Sequence, residues 1–205
     1  MMSFHADIQS GSRFPESVLA SQSVFRDVMN AMSRPGSIQT IGPTADAPMP
    51  LMPSTAAVAL ALFDHDTAIW ADVKFDGTSE IVNWLRFQTG APLTADASRA
   101  AFALISNGSV LPAFDCFAQG TPEYPDRSTT LIVQVETLTD GPELTLSGPG
   151  IRGATSLRAG SLPPDFAERM LANRSLFPQG IDLLLVCGAQ LIALPRTVHI
   201  TAKEA

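Results

Sequence analysis

The chain has 205 residues and a net charge of −7, from 13 Lys and Arg against 20 Asp and Glu. With 45% hydrophobic and 16% charged residues and a mean hydropathy of +0.17, it reads as a well-cored globular protein, and disorder as the main state is excluded. The acidic balance repels polyanions and argues against nucleic acid as a partner. Cys116 and Cys187 are too few and too widely spaced for a zinc cluster or a redox pair, and Cys187 reads as a buried core thiol. The N-terminus lacks a basic patch followed by an apolar stretch. No run approaches the roughly 18 apolar residues of a membrane span. The expectation is a soluble, cytoplasmic protein with no membrane contact. Its length suits one α/β domain over residues 17–205, preceded by a polar, irregular segment over residues 1–16.

In chain order, Ser21 is placed to cap a helix carrying Val24, Phe25, Val28, Met29 and Met32 at helical spacing. Ser33-Arg34-Pro35-Gly36 stops it. Residues 38–41 read as a short strand, and 42–53, with four prolines, as loop. Ser54 or Thr55 then caps a helix over Ala56–Phe63 whose all-apolar surface predicts burial. A turn at Asp64-His65-Asp66 leads to a strand over Thr67–Ala71, and Ser79 caps a helix ending at Gly90. Ala101–Ile105 is a buried strand and 108–128 a long loop. Thr129–Leu138 alternates like a strand and turns through Thr139-Asp140-Gly141-Pro142 into Glu143–Leu146, which predicts a hairpin. Ser147-Gly148-Pro149-Gly150 is a turn, and Pro163-Pro164 opens a helix through Phe166, Met170 and Leu171. Strands at 181–187 and 191–200 form a last hairpin around Gly188-Ala189-Gln190. Helices interleaved with strands, some in hairpins, indicate an α/β fold with a mixed β-sheet flanked by helices.

Several catalytic motifs are absent: there is no Gly-x-Ser-x-Gly elbow, HExxH or P-loop. Three histidines (His5, His65, His199) do not suggest a multi-histidine metal centre. Of the two lysines, Lys74 sits in a polar turn and Lys203 in the tail, so neither suits a pyridoxal phosphate enzyme. No catalytic, cofactor-binding or metal-binding residue is therefore assigned, and no cofactor is expected.

Three places keep a functional reading beside an ordinary one. Asp64-His65-Asp66-Thr67 could hold a cation or move a proton, although surface turns commonly use the same residues. The loop Gly120–Arg127, with the chain's only tyrosine, is either a binding surface or a spacer. In the last hairpin, a three-residue loop would pair Cys187 with Leu191 and set Asp182 opposite Arg196. That register predicts a cross-strand ion pair on the face shared with Leu184, Val186, Ile192, Leu194, Val198 and Ile200. Pro195 is the residue that could break it.

The order of several segments is distinctive. Phe25-Arg26 precedes Met32-Ser33-Arg34-Pro35-Gly36, and Thr55–Phe63 runs into Asp64-x-Asp66-Thr67 and Trp70. Then come Leu85-Arg86-Phe87-x-Thr89-x-Ala91-Pro92-Leu93, Gly120-Thr121 and Leu131-Ile132-Val133-Gln134-Val135. Leu146-x-Gly148-x-Gly150-Ile151, Phe177-Pro178-x-Gly180-Ile181-Asp182 and Pro195-Arg196-Thr197-x-His199 complete the set. Over roughly residues 21–200 this closely resembles the PhnH family, a subunit of the bacterial carbon–phosphorus lyase system. The resemblance implies the frame of the large domain of pyridoxal-phosphate-dependent transferases without the cofactor. It also implies a homodimer and association with the G, I and J subunits in a complex that degrades phosphonates. The step implied to need this subunit joins a phosphonate to the ribose of a nucleoside triphosphate. The alternative is a stand-alone phosphonate- or nucleotide-binding protein or enzyme using Arg34, Arg127 and Arg196 as anion ligands.

Overall fold

The computed structural model describes residues 16–42 and 45–202. Helix α1 (Glu16–Ser33) begins before the expected cap at Ser21, whose hydroxyl instead donates to the Leu60 carbonyl at 3.4 Å. The boundary drawn after residue 16 falls in its first turn, and residues 1–15 lie outside the described residues. α1 buries Val24, Val28 and Ala31 but leaves Phe25 and Met29 exposed, so only one side of the apolar set faces the core. Strand β1 is Gln39–Thr40. Helix α2 (Pro53–Leu62) starts at its proline, where the missing N–H is no loss. Ser54 and Thr55 are therefore buried in its first turn rather than capping it, and the Ser54 hydroxyl donates to the Gly188 carbonyl.

Strand β2 (Ile69–Ala71) is followed by a short helix, α3 (Val73–Asp76), absent from the sequence reading. Helix α4 (Ser79–Thr89) has Thr78, not Ser79, at its N-cap position. It ends at Gly90, whose φ of 72° is the left-handed exit a glycine allows without strain. Strands β3 (Phe102–Ile105) and β4 (Thr130–Gln134) are joined by a segment of short 3-10 turns. β5 (Glu143–Ser147), β6 (Ala154–Arg158), α5 (Phe166–Ser175), β7 (Asp182–Cys187), β8 (Gln190–Leu194) and β9 (His199–Ala202) follow. α5 starts three residues after Pro163, with Asp165 at its N-cap.

The main sheet has the order β1-β8-β7-β4-β3-β2. Strands β2, β3, β4 and β7 run parallel, and β8 and β1 are antiparallel to their neighbours. This is the expected mixed α/β sheet flanked by helices. β4 is central, and both its edges are taken by parallel strands, so the expected hairpin with β5 does not form. β5 instead lies in a second, antiparallel sheet of order β6-β5-β9. Being interior, β4 is buried on both faces, and even Gln134 is only 2% exposed.

The layers follow from strand parity. Leu104, Ile132 and Leu184 pack with residues of α1, α2 and α4 such as Val28, Val58 and Leu85. Ile105, Val133 and Leu185 pack with Leu146 and Leu157 of the small sheet and Met170 of α5. Truncating such a fully buried residue, for example Ile132→Ala, falls in the range of about 2–5 kcal/mol.

The β7–β8 hairpin pairs Cys187 with Gln190, leaving a two-residue loop, Gly188-Ala189. The expected register is thus one residue off, which exchanges the faces. Leu184 and Val186 lie with Leu191 and Ala193, while Ile192 and Leu194 face the small sheet. The predicted single strand over 191–200 breaks at Pro195: β8 stays in the main sheet and β9 joins the second. Cys187 is only partly buried, its thiol 3.2 Å from the Glu136 carbonyl.

Candidate functional site

The Asp182–Arg196 pair forms despite the slipped register. Asp182 opens β7, and the chain bends after Pro195 so that Arg196 swings back to it. Arg196 Nη2 donates to Asp182 Oδ2 at 2.5 Å, Nε to Oδ1 at 3.2 Å, and the Arg196 amide to Oδ1 at 2.8 Å. The remaining donors reach the Pro125 and Pro178 carbonyls and Ser128 Oγ. The two side chains are 15% and 13% exposed. This is a bidentate, largely dry pair, and all five N–H donors of the guanidinium are engaged by protein acceptors. Arg196 is therefore a clamp holding strand β7 to two loops, not an anion ligand.

The same clamp fixes the base of the 120–127 loop. Gln119 and Ser128 form a bridge, the Gln119 carbonyl accepts from the Gly180 amide at 2.9 Å, and Gln179 Nε2 donates to the Gly120 carbonyl at 3.0 Å. At the tip, the Arg127 guanidinium lies 4.2 Å from the centre of the exposed Tyr124 ring, a cation–π contact of about 0.5–1 kcal/mol.

Asp64-His65-Asp66-Thr67 is a solvated turn. The Asp64 carboxylate accepts from the Asp66 amide at 3.0 Å, Thr67 Oγ1 donates to the Asp64 carbonyl at 2.9 Å, and His65 and Asp66 are 3.4 Å apart with both side chains exposed. Among the described residues no group of three or more His, Cys, Asp or Glu is placed to hold a metal ion.

Sequence reasoning missed a buried polar cluster at the C-terminal ends of β2, β3 and β4. Asp72, 6% exposed, accepts from the Phe75 amide at 3.2 Å and from the Ser106 amide and hydroxyl at 2.7 Å each. Gln134 Oε1 accepts from the Met52 amide at 2.7 Å, and its Nε2 donates to the Pro50 and Ser106 carbonyls. In open α/β sheets this edge is where ligands bind. Here the side chains are spent on one another and on loop backbone. The signal was present as polar residues at the last position of an apolar strand or directly after it.

Two open grooves flank α5. One, of about 410 Å³, is lined by Phe114, Gln119, Asp165, Arg169 and Leu176 among others. The other, of about 380 Å³, is lined by Pro149, Leu171, Arg174, Ser175, Phe177 and Thr197. In the first, the Arg169 guanidinium donates to Asp165 at 2.9 Å and holds its carboxyl below the ordinary value of 3.8. A lowered folded-state pKa adds stability above the unfolded value that disappears as pH falls through the folded one. We expect the Asp165 side chain in a two-dimensional NMR titration to protonate below pH 3.8 and to return toward it in Arg169→Gln; an unchanged midpoint would refute the pairing.

These features define a layered α/β protein in which Arg196, Asp72 and Gln134 hold its own loops and exposed polar groups line open grooves. The chain belongs to the PhnH family of bacterial phosphonate metabolism proteins, whose family model matches residues 12–201. It is 42% identical over 199 residues, 97% of this chain and 98% of the relative, to a Rhizobium meliloti (strain 1021) protein named alpha-D-ribose 1-methylphosphonate 5-triphosphate synthase subunit PhnH. It is 30% identical over 184 residues, 90% of this chain and 87% of the relative, to HtxG of Stutzerimonas stutzeri, described as a candidate C-P lyase subunit.

Proposed function

We propose that this chain is an accessory subunit of a carbon–phosphorus lyase complex. In phosphonate catabolism it would be required for forming ribose 1-phosphonate 5-triphosphate from a phosphonate and a nucleoside triphosphate. The observation that carries this reading is the 42% identity, spanning nearly all of both chains, to a protein named as a subunit of that synthase. The engaged state of Arg196, Asp72 and Gln134 agrees with it, because these groups support the frame and none is left facing a substrate. The reading includes a cytoplasmic homodimer that assembles with G, I and J subunits on a frame like that of pyridoxal-phosphate-dependent transferases.

One surface feature supports pairing of two copies. Val18, Phe25 and Met29 are exposed on α1. With Gln22 they follow the 4-3-4 spacing of a helix–helix seam, which under a two-fold axis faces Val18 with Met29 and Gln22 with Phe25 of the second copy.

The test is reconstitution. Purified G, I and J subunits are given methylphosphonate and ATP with and without this chain, and ribosyl phosphonate triphosphate is followed by phosphorus NMR. Product should appear only when the chain is added. Equal formation without it would overturn the reading, as would turnover by the chain alone.

A further inference from the structure

The C-terminal ends of α1 and α5 lie on either side of the turn joining β5 to β6, at one corner of the molecule. A Cβ on Gly150 would lie 2.5 Å from the Ser33 carbonyl oxygen and 2.8 Å from Pro35 Cδ, so this turn is seated against the end of α1. Gly148 is backed by the Thr197 carbonyl, and Pro149 shares the 380 Å³ groove with Arg174 and Phe177. Arg34, next to Pro35, Arg152, two residues past Gly150, and Arg174 are all exposed. Their guanidinium groups take part in no ion pair or hydrogen bond among the described residues.

The charge there is opposite to that of the whole chain. Segments 28–42, 144–164 and 169–202, which build this corner, contain a single acidic residue, Asp182, whose charge is matched by Arg196, on a protein of net charge −7. The two helix C-termini contribute roughly −0.5 each, about −1 in total against three full positive charges, so the corner remains cationic. Beside the arginines, Leu171 is 49% exposed and Phe177 63%. An aromatic and an aliphatic anchor beside the Arg174 guanidinium is the composition of an interface centre.

We propose that this corner docks a partner protein of the complex through an acidic segment bearing an apolar anchor. Its carboxylates face Arg34, Arg152 and Arg174, and its anchor packs on Leu171 and Phe177. The inference rests on the subunit reading above and adds the surface and the partner's chemistry. Charge complementarity selects the acidic segment, and an open groove with Leu171 and Phe177 exposed along it suits a polypeptide better than an enclosed small ligand.

The experiment measures binding of the full chain to reconstituted G, I and J subunits at 50 and 200 mM NaCl. The triple variant R34E/R152E/R174E should bind at least about thirtyfold more weakly at low salt and lose or invert the salt dependence, and F177A about tenfold more weakly. R86E, a charge reversal on exposed α4 surface away from the corner, should bind like the wild type. All five altered side chains are exposed, so the fold should persist, with Tm lowered by at most a few degrees in the triple variant, which places glutamates at two helix C-termini. If the triple variant keeps wild-type affinity and salt dependence, the corner is excluded and the subunit reading stands. If the wild type itself does not bind, both fall. If the isolated chain binds tripolyphosphate saturably and loses it in the triple variant while partner binding is unaffected, the corner is a small-anion site and docking is overturned.

Discussion

Asp182→Ala is expected to lower the unfolding free energy by about 3 kcal/mol, the cost of leaving a mostly buried guanidinium without its counter-charge. For a domain of this size that is a fall in Tm of roughly 6–12 °C. The effect is large because Asp182 meets three donors of Arg196, two from the guanidinium and one from the backbone, while the same guanidinium reaches Pro125, Pro178 and Ser128. Losing the carboxylate therefore loosens the start of β7, the 120–127 loop and the bend after Pro195 together. A double-mutant cycle with Arg196→Met separates the pair from its surroundings. The double variant should be more stable than the sum of the singles, since the uncompensated charge is gone. A loss below 1 kcal/mol in the Asp182 variant, or strict additivity, would show that the pair is not the clamp described.

At the other end of the strands, Asp72→Ala should cost about 2–4 kcal/mol in urea unfolding at unchanged m. The carboxylate accepts from the Phe75 amide and from both the amide and hydroxyl of Ser106. Alanine leaves these donors in a site too dry to solvate them, and removes the N-cap of a four-residue helix. Asp72→Asn keeps one acceptor and turns an NH2 toward a donor, so it should fall between alanine and wild type. Amide exchange at Ser106 should accelerate in both variants; protection equal to the wild type would mean that the strand end is held by other contacts.

The two sites differ in how far they could be read in advance. A carboxylate at 182 and an arginine at 196 bracket an apolar hairpin, and an arginine so placed needs an anionic partner. The pair was legible for that reason, although its register was not. Asp72 and Ser106 are 34 positions apart, and nothing local connects them. Only the parallel pairing of β2 with β3 brings their ends together. The arginines of the α1–α5 corner were equally hidden, since 34, 152 and 174 belong to three different segments, the first two brought together at Gly150 and the third across the groove beside Pro149.

What the chain's order of residues determined by itself was the alternation of helices and strands, the glycine and proline punctuation, and the segment order that marks the family. Each depends on near neighbours, through capping, periodicity and backbone sterics. Tertiary structure alone decided which strands pair. β5 could not join β4 because both edges of that strand were already occupied by parallel partners. The last strand divided at Pro195, which has no N–H to continue a ladder, and its two halves bury their apolar residues in different sheets. Pairing is a competition among distant segments for shared edges and shared burial, and no window of sequence contains both competitors.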